Sequence, residues 1–177
     1  MQPMAAAEID GLIQACAENM EALEQIYHLL KRDIFAFAYS ILRDVPLAED
    51  CVQETFVRLP AAAARLRKPG SGKAFIFSIA RYAAMELLRK RGAVAGEPQP
   101  EEAPDRDEDF TRAVEAAALL DILDGQERQI LVLHVYSGWT FREIAALLDR
   151  PVSTVKSCYA RARALIQREW RNTYDTV

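Results

Sequence analysis

Apolar residues recur at three- and four-residue spacing through nearly the whole chain, and the alternation of a half-buried strand is scarce. The pattern predicts an all-α protein. A first helix is expected over residues 9–18, and Asn19 suits the cap of a second that runs through Leu30. A third, residues 33–42, would bury Ile34, Phe37, Ala38 and Ile41. The run Arg43-Asp44-Val45-Pro46 interrupts the pattern. A fourth helix, starting near Leu47, sets Ala48, Val52, Thr55, Phe56 and Leu59 on one face. Pro69-Gly70-Ser71-Gly72 marks a loop, after which a fifth helix is expected from Ala74 to Arg91, stopping at Gly92. From Ala93 to Asp109 the apolar content drops, and Gly96, Pro98, Pro100 and Pro104 alternate with acids, the composition of a flexible linker. A second helical unit follows, from about Thr111 to Tyr174. The expected organisation is two small helical domains, 1–92 and 113–177, joined by an acidic linker, 93–112, each near the lower size limit for independent folding.

The sharpest local pattern lies in the second unit. Thr140 and Glu143 have the spacing of a capping box, which satisfies the free N–H groups of a helix start. Ile144, Ala145 and Leu148 give that helix an apolar face. Asp149 tolerates left-handed backbone and Pro151 suits a first helical turn. A second stripe, Val155, Tyr159, Ala162, Leu165 and Ile166, leaves Lys156, Ser157, Ala160, Arg161 and Arg163 mostly off it. A short helix, a tight turn and a long basic helix is how a helix-turn-helix presents a reading helix to the major groove. A helical hairpin with a solvated basic face fits the same residues.

Charge sharpens this picture. The net charge of −4 argues against a general nucleic-acid coat, yet the charges are segregated. Between Arg58 and Arg91 nine cations face a single acid, Glu86, whereas between Glu97 and Asp121 nine acids face Arg106 and Arg112. The basic stretch also carries Phe75, Phe77 and Tyr82 after the glycine-bearing loop. Aromatics beside cations are what single-stranded DNA binding uses, since bases stack and phosphates pair. Phe75, Ile76, Ile79, Ala80 and Ala83 nevertheless sit at helical spacing, so Phe75 also fits a core, and Arg89-Lys90-Arg91 also fits compensation of a helix dipole. Asp50, Gln53 and Glu54, at i, i+3 and i+4, share one helix face while Val52 and Phe56 point elsewhere. Such a face can dock a basic partner or simply be solvated.

Enzymatic chemistry finds no support in the pattern. Cys16, Cys51 and Cys158 are odd in number and lack metal-ligand spacing, and His28 and His134 stand apart from carboxylates and cysteines. There is no nucleophile motif, no phosphate-binding glycine loop and no zinc pattern. The expectation is no catalytic residue, no metal and no cofactor. No apolar run nears the roughly 20 residues that span a bilayer, and no secretory signal is evident, so a cytoplasmic protein with reduced thiols and no membrane insertion is expected.

Taken in order, several motifs resemble those of the extracytoplasmic-function sigma factors, small members of the sigma-70 family. They are Ala48-Glu-Asp-Cys-Val-Gln-Glu-Thr-Phe56, Phe77-Ser-Ile-Ala-Arg81 and Leu87-Leu-Arg-Lys-Arg91, then Glu143-Ile-Ala145, Pro151, Thr154-Val-Lys-Ser157 and Arg161-Ala-Arg163. The similarity covers residues 19–91 and 120–169. It departs from the family at Phe75 (usually tryptophan nearby), Tyr82 (asparagine), Glu86 (aspartate), Ser153 (glycine) and Cys158 (arginine).

The resemblance implies a promoter-specificity subunit of bacterial core RNA polymerase. The first domain would grip the polymerase clamp helices and the melted downstream (minus-ten) element, the second the polymerase flap and the upstream (minus-thirty-five) duplex. Asp50, Gln53 and Glu54 would form the clamp-docking face. The loop with Lys68, Ser71 and Lys73 would cradle a flipped base, and Arg81, Arg89, Lys90 and Arg91 would hold strand phosphates. Lys156, Ser157 and Arg161, with Cys158 beside them, would face the upstream groove, and Thr140 and Thr154 would hold its phosphates. An anti-sigma protein inserted between the domains would be the expected regulator. Two rivals remain at this stage: a sigma-like polymerase adaptor without promoter recognition, which Cys158 keeps open, and a polymerase-independent helix-turn-helix regulator.

Overall fold

Asn19 accepts hydrogen bonds from the N–H groups of Glu21 and Ala22 at 2.9 and 3.4 Å, and so opens a helix that runs without interruption to Leu42. The computed structural model describes residues 6–93, 120 and 122–174, which belong to two compact units. In the N-terminal unit, α1 (Ala6–Ala15), α2 (Met20–Leu42), α3 (Val45–Ala62) and α4 (Gly72–Ala93) follow one another, with a 3-10 turn at Ala63–Arg65. The second and third helices expected from sequence are one element. Lys31-Arg32-Asp33 contains no breaker, and Ile26, Leu30, Ile34 and Phe37 continue one apolar stripe across it.

The break expected after Leu42 is real. Arg43 adopts left-handed geometry (φ 55°) and its N–H donates to the Tyr39 carbonyl. Asp44 then caps α3 by accepting from the Leu47 N–H at 3.0 Å, with Pro46 in the first turn, so α3 starts two residues before Leu47. α2, α3 and α4 pack on one another, and α1 lies against α2 and α4. Ile13, Ile26, Ile34, Phe37, Leu59, Ile76 and Phe77 are wholly buried, with the Phe37 and Phe77 rings 5.5 Å apart. Cys51 is also buried, which pushes its thiol up to about 12, far from nucleophilic use at neutral pH.

The C-terminal unit comprises α5 (Gly125–Leu131), a π-helical turn (Val132–Tyr136), α6 (Phe141–Leu148) and α7 (Val152–Tyr174). Both α5 and α6 start in capping boxes, Asp124 with Glu127 and Thr140 with Glu143. The expected left-handed turn residue is there too, Asp149 at φ 53°. Ile130, Leu133, Ile144, Val155 and Ala162 form a wholly buried core. His134 stacks on Phe141, meets Tyr159 edge-on, and has Nδ1 2.7 Å from the Trp139 carbonyl. Of the expected linker 93–112, all but Ala93 lies outside the described residues, as does the expected start of the second domain at residue 113. Among the described residues there is no strand, and no helix is long and apolar enough to cross a membrane.

Candidate docking and nucleic-acid interfaces

Two grooves lie between α3 and α4, and Arg58 lines both. The first is a hollow of about 300 Å³ lined by Asp50, Gln53, Glu54, Val57, Arg58, Ala83, Glu86, Leu87 and Lys90. The three polar residues expected to share a face do so. Asp50 and Gln53 are exposed, but Glu54 is half-buried and its Oε1 accepts from Arg58 Nε at 2.6 Å. Arg58 Nη2 donates to Glu86 Oε2 at 2.8 Å, and Lys90 Nζ lies 3.2 Å from Glu86 Oε1. The hydrogen bonds from Arg58 and then Lys90 hold the Glu86 carboxyl below its ordinary range. Lys90, expected among the phosphate-holding residues, lines this acidic groove with its side chain 65% exposed. Sequence reasoning missed Val57, 73% exposed and apolar, which three-residue spacing from Glu54 puts on the same surface.

The second groove, about 510 Å³, is lined by Arg58, Ala61, Ala62, Arg65, Phe75, Ser78, Ile79 and Tyr82. Tyr82 is 68% exposed and the Arg58 guanidinium sits 5.6 Å from its ring centre. Phe75 is half-buried and opens onto this groove rather than filling the core, whereas Phe77 is a core residue. Tyr82, Met85 and Arg89 are exposed and, with half-buried Arg81, follow helical spacing along one outward face of α4.

Other expected contacts are already engaged within the fold. Arg91 Nη1 donates to the Leu42 carbonyl at 3.0 Å and lies 3.9 Å from Asp44, tying α4 to the end of α2. In this structure it thus acts as a strut, with its side chain still 36% exposed. Lys73 Nζ lies 3.6 Å from Asp33 Oδ2 and 5.9 Å from the centre of the Phe77 ring. Lys68 is exposed, and Ser71 Oγ donates to its carbonyl at 2.6 Å.

In the C-terminal unit Lys156 and Ser157 are exposed near the start of α7, and Ser157 Oγ donates to the Thr154 carbonyl at 2.9 Å. Thr154 is half-buried. The Thr140 hydroxyl donates to Glu143 Oε2 at 2.6 Å and accepts from the Glu143 N–H, so it serves the α6 cap. Cys158 is 2% exposed, three residues beyond Val155 on the inward face, and does not stand beside Lys156 and Ser157 on the outer one. Arg161 Nε donates to Glu127 Oε1 at 2.9 Å and its Nη2 to Cys158 Sγ at 3.4 Å, bracing α7 against α5. Glu127 is buried, so losing its cation strands a desolvated carboxylate. We therefore expect Arg161→Ala to lower the melting temperature of this unit and to weaken matched and scrambled upstream DNA alike. Loss confined to the matched element, with an unchanged melt, would restore Arg161 as a base reader.

Residues 26–94 match the model of sigma-70 region 2, and residues 113–166 that of sigma-70 region 4. The chain is 30% identical over 157 residues to the ECF RNA polymerase sigma factor SigC of Mycobacterium tuberculosis, covering 85% of this chain and 84% of that protein. The chain belongs to the extracytoplasmic-function group of the sigma-70 family. It is a promoter-specificity subunit of RNA polymerase. It is 29% identical to the probable sigma factor RfaY of Xanthomonas campestris, over 93% of this chain, and spans 44% of the length of that relative. Among solved structures, the sigma factor RpoE in complex with the anti-sigma factor NepR from Bartonella quintana matches with a TM-score of 0.63 and 25% identity, over 82% of this chain and 94% of that one. CnrH in complex with the cytosolic domain of CnrY matches in fold, with a TM-score of 0.68 at 24% identity, over 94% of this chain and 98% of that one.

Proposed function

We propose that this sigma factor works through three surfaces and has no catalytic chemistry of its own. The acidic groove of Asp50, Gln53, Glu54 and Glu86 docks on a basic surface of bacterial core RNA polymerase, the clamp helices. The adjacent groove of Arg58, Arg65, Phe75 and Tyr82 takes the melted downstream strand, its rings stacking bases and its guanidiniums pairing phosphates. Arg81 and Arg89 extend that track, and the loop carrying Lys68 and Ser71 receives a flipped base. The start of α7, with Lys156, Ser157 and the Thr154 backbone, enters the upstream major groove, while the rest of the C-terminal unit meets the flap. The observation that carries this reading is that one helix pair presents an acidic groove and an aromatic, basic groove side by side, joined by Arg58.

Domains 1–92 and 113–177 divide these tasks, with residues 93–112 linking them. The solved relative complexed with an anti-sigma factor supports a partner of that kind here. The test is run-off transcription with purified core polymerase on fragmented genomic DNA from the source organism. Discrete transcripts that depend on this chain are expected. Polymerase binding without transcripts would favour the adaptor reading, and DNA binding without polymerase binding the independent regulator.

A further inference from the structure

The loop between α3 and α4 is held from outside itself. Ser71 stands where α4 needs a cap, but its hydroxyl donates to the Lys68 carbonyl. Two N–H groups of the turn, those of Gly70 and Gly72, donate to Asp10, on α1. Asp10 Oδ1 accepts from the Gly72 N–H at 2.7 Å and Oδ2 from the Gly70 N–H, across 62 and 60 residues of sequence. Asp10 is 9% exposed and its carboxylate sits at the positive end of α4, where an anion bonded to backbone N–H groups is favourable.

The glycines match this arrangement. Gly70 has φ +76°, which a side chain rarely adopts, and a Cβ on Gly72 would lie 2.5 Å from Asp10 Oδ1 and 2.8 Å from Ile13 Cδ1. So the side chains of α1 fill the space beside Gly72. A protein carboxylate occupies the position where a helix start would otherwise attract a phosphate. The loop itself offers nucleic acid exposed Lys68 and its own backbone.

We propose that Asp10 is the positioning residue of the promoter-reading loop: by bonding Gly70 and Gly72 it fixes the geometry with which residues 68–71 select a downstream base. This rests on the reading of that loop as the downstream-element contact. A loop stripped of the anchor keeps its lysine but samples many shapes, so discrimination falls more than total affinity.

The experiment uses the full chain assembled with core polymerase. Its probes are single-stranded non-template oligonucleotides carrying the downstream element or a scrambled one. The variants are Asp10→Ala, Asp10→Asn and Gly72→Ala, with Lys68→Ala as control. Backbone amide resonances of Gly70 and Gly72 are followed in the free protein. Asp10→Ala is expected to move both amides and to lower the matched-to-scrambled ratio about tenfold, with co-purification of core polymerase and helical circular dichroism unchanged. Asp10→Asn keeps one acceptor and should lie between. Gly72→Ala, whose methyl would displace the Asp10 carboxylate and the Ile13 side chain while leaving residue 10 unchanged, should reproduce the loss and stands in if Asp10→Ala fails to fold. If the amides move and the ratio does not, while Lys68→Ala still lowers it, Asp10 is only a fold cap and the proposal is overturned by itself. If Lys68→Ala also leaves the ratio unchanged, the loop is not the reader, and the proposal falls together with the reading beneath it.

Discussion

Replacing Asp50 and Glu54 together by lysine is expected to abolish co-purification with core RNA polymerase while leaving the helical circular dichroism intact. Asp50 is exposed and the Glu54 side chain is 42% exposed, so neither reversal buries a charge. Glu54→Lys removes one of two carboxylates bonded to Arg58, but Glu86 keeps the other at 2.8 Å, and a partly exposed pair contributes at most about 1 kcal/mol to the fold. At an interface the same change is far larger. Losing one partner of a docked charge pair costs roughly 2–5 kcal/mol, and two reversals replace attraction by repulsion. Unchanged pull-down by the double variant would show that polymerase docks elsewhere on this chain.

Truncating Ile144 to alanine should disable the C-terminal unit and spare the other. Ile144 is wholly buried in the core made with Ile130, Leu133 and Val155. Deleting a buried side chain of this size costs about 2–5 kcal/mol. A unit this small buries a limited fraction of its surface and has little stability in reserve. We expect upstream duplex binding to be lost, the melt to show an early transition, and polymerase binding by the N-terminal unit to persist. A single melting transition at the wild-type temperature would contradict both the role of Ile144 and the independence of the units.

Much of the architecture is legible in local chemistry. A capping box involves residues three apart, so Thr140 with Glu143 could be read directly, as could the left-handed turn at Asp149 and the interruption at Arg43. The shared face of Asp50, Gln53 and Glu54 follows from 3.6 residues per turn alone. Periodicity served less well where it had to find an end. One helix was expected to end at Leu30 and another to begin at Asp33, yet polar residues on the outer side of a helix do not stop it, and α2 continues.

What a side chain is bonded to depends on what the fold brings near it. Arg91 and Arg161 read as nucleic-acid cations because charge is visible in sequence; that each braces a helix, through the Leu42 carbonyl and through Glu127, depends on partners 49 and 34 residues away. Cys158 was set beside Lys156 and Ser157 by adjacency, while the packing of α7 turns it inward. Asp10 carried no local signal at all, since its two donors are 60 and 62 residues distant. The difference has one physical root. Helix starts, turns and faces depend on interactions within about four residues, which sequence spacing encodes, whereas the partner of a charge and the inner side of a helix depend on which surfaces meet when the chain closes on its core.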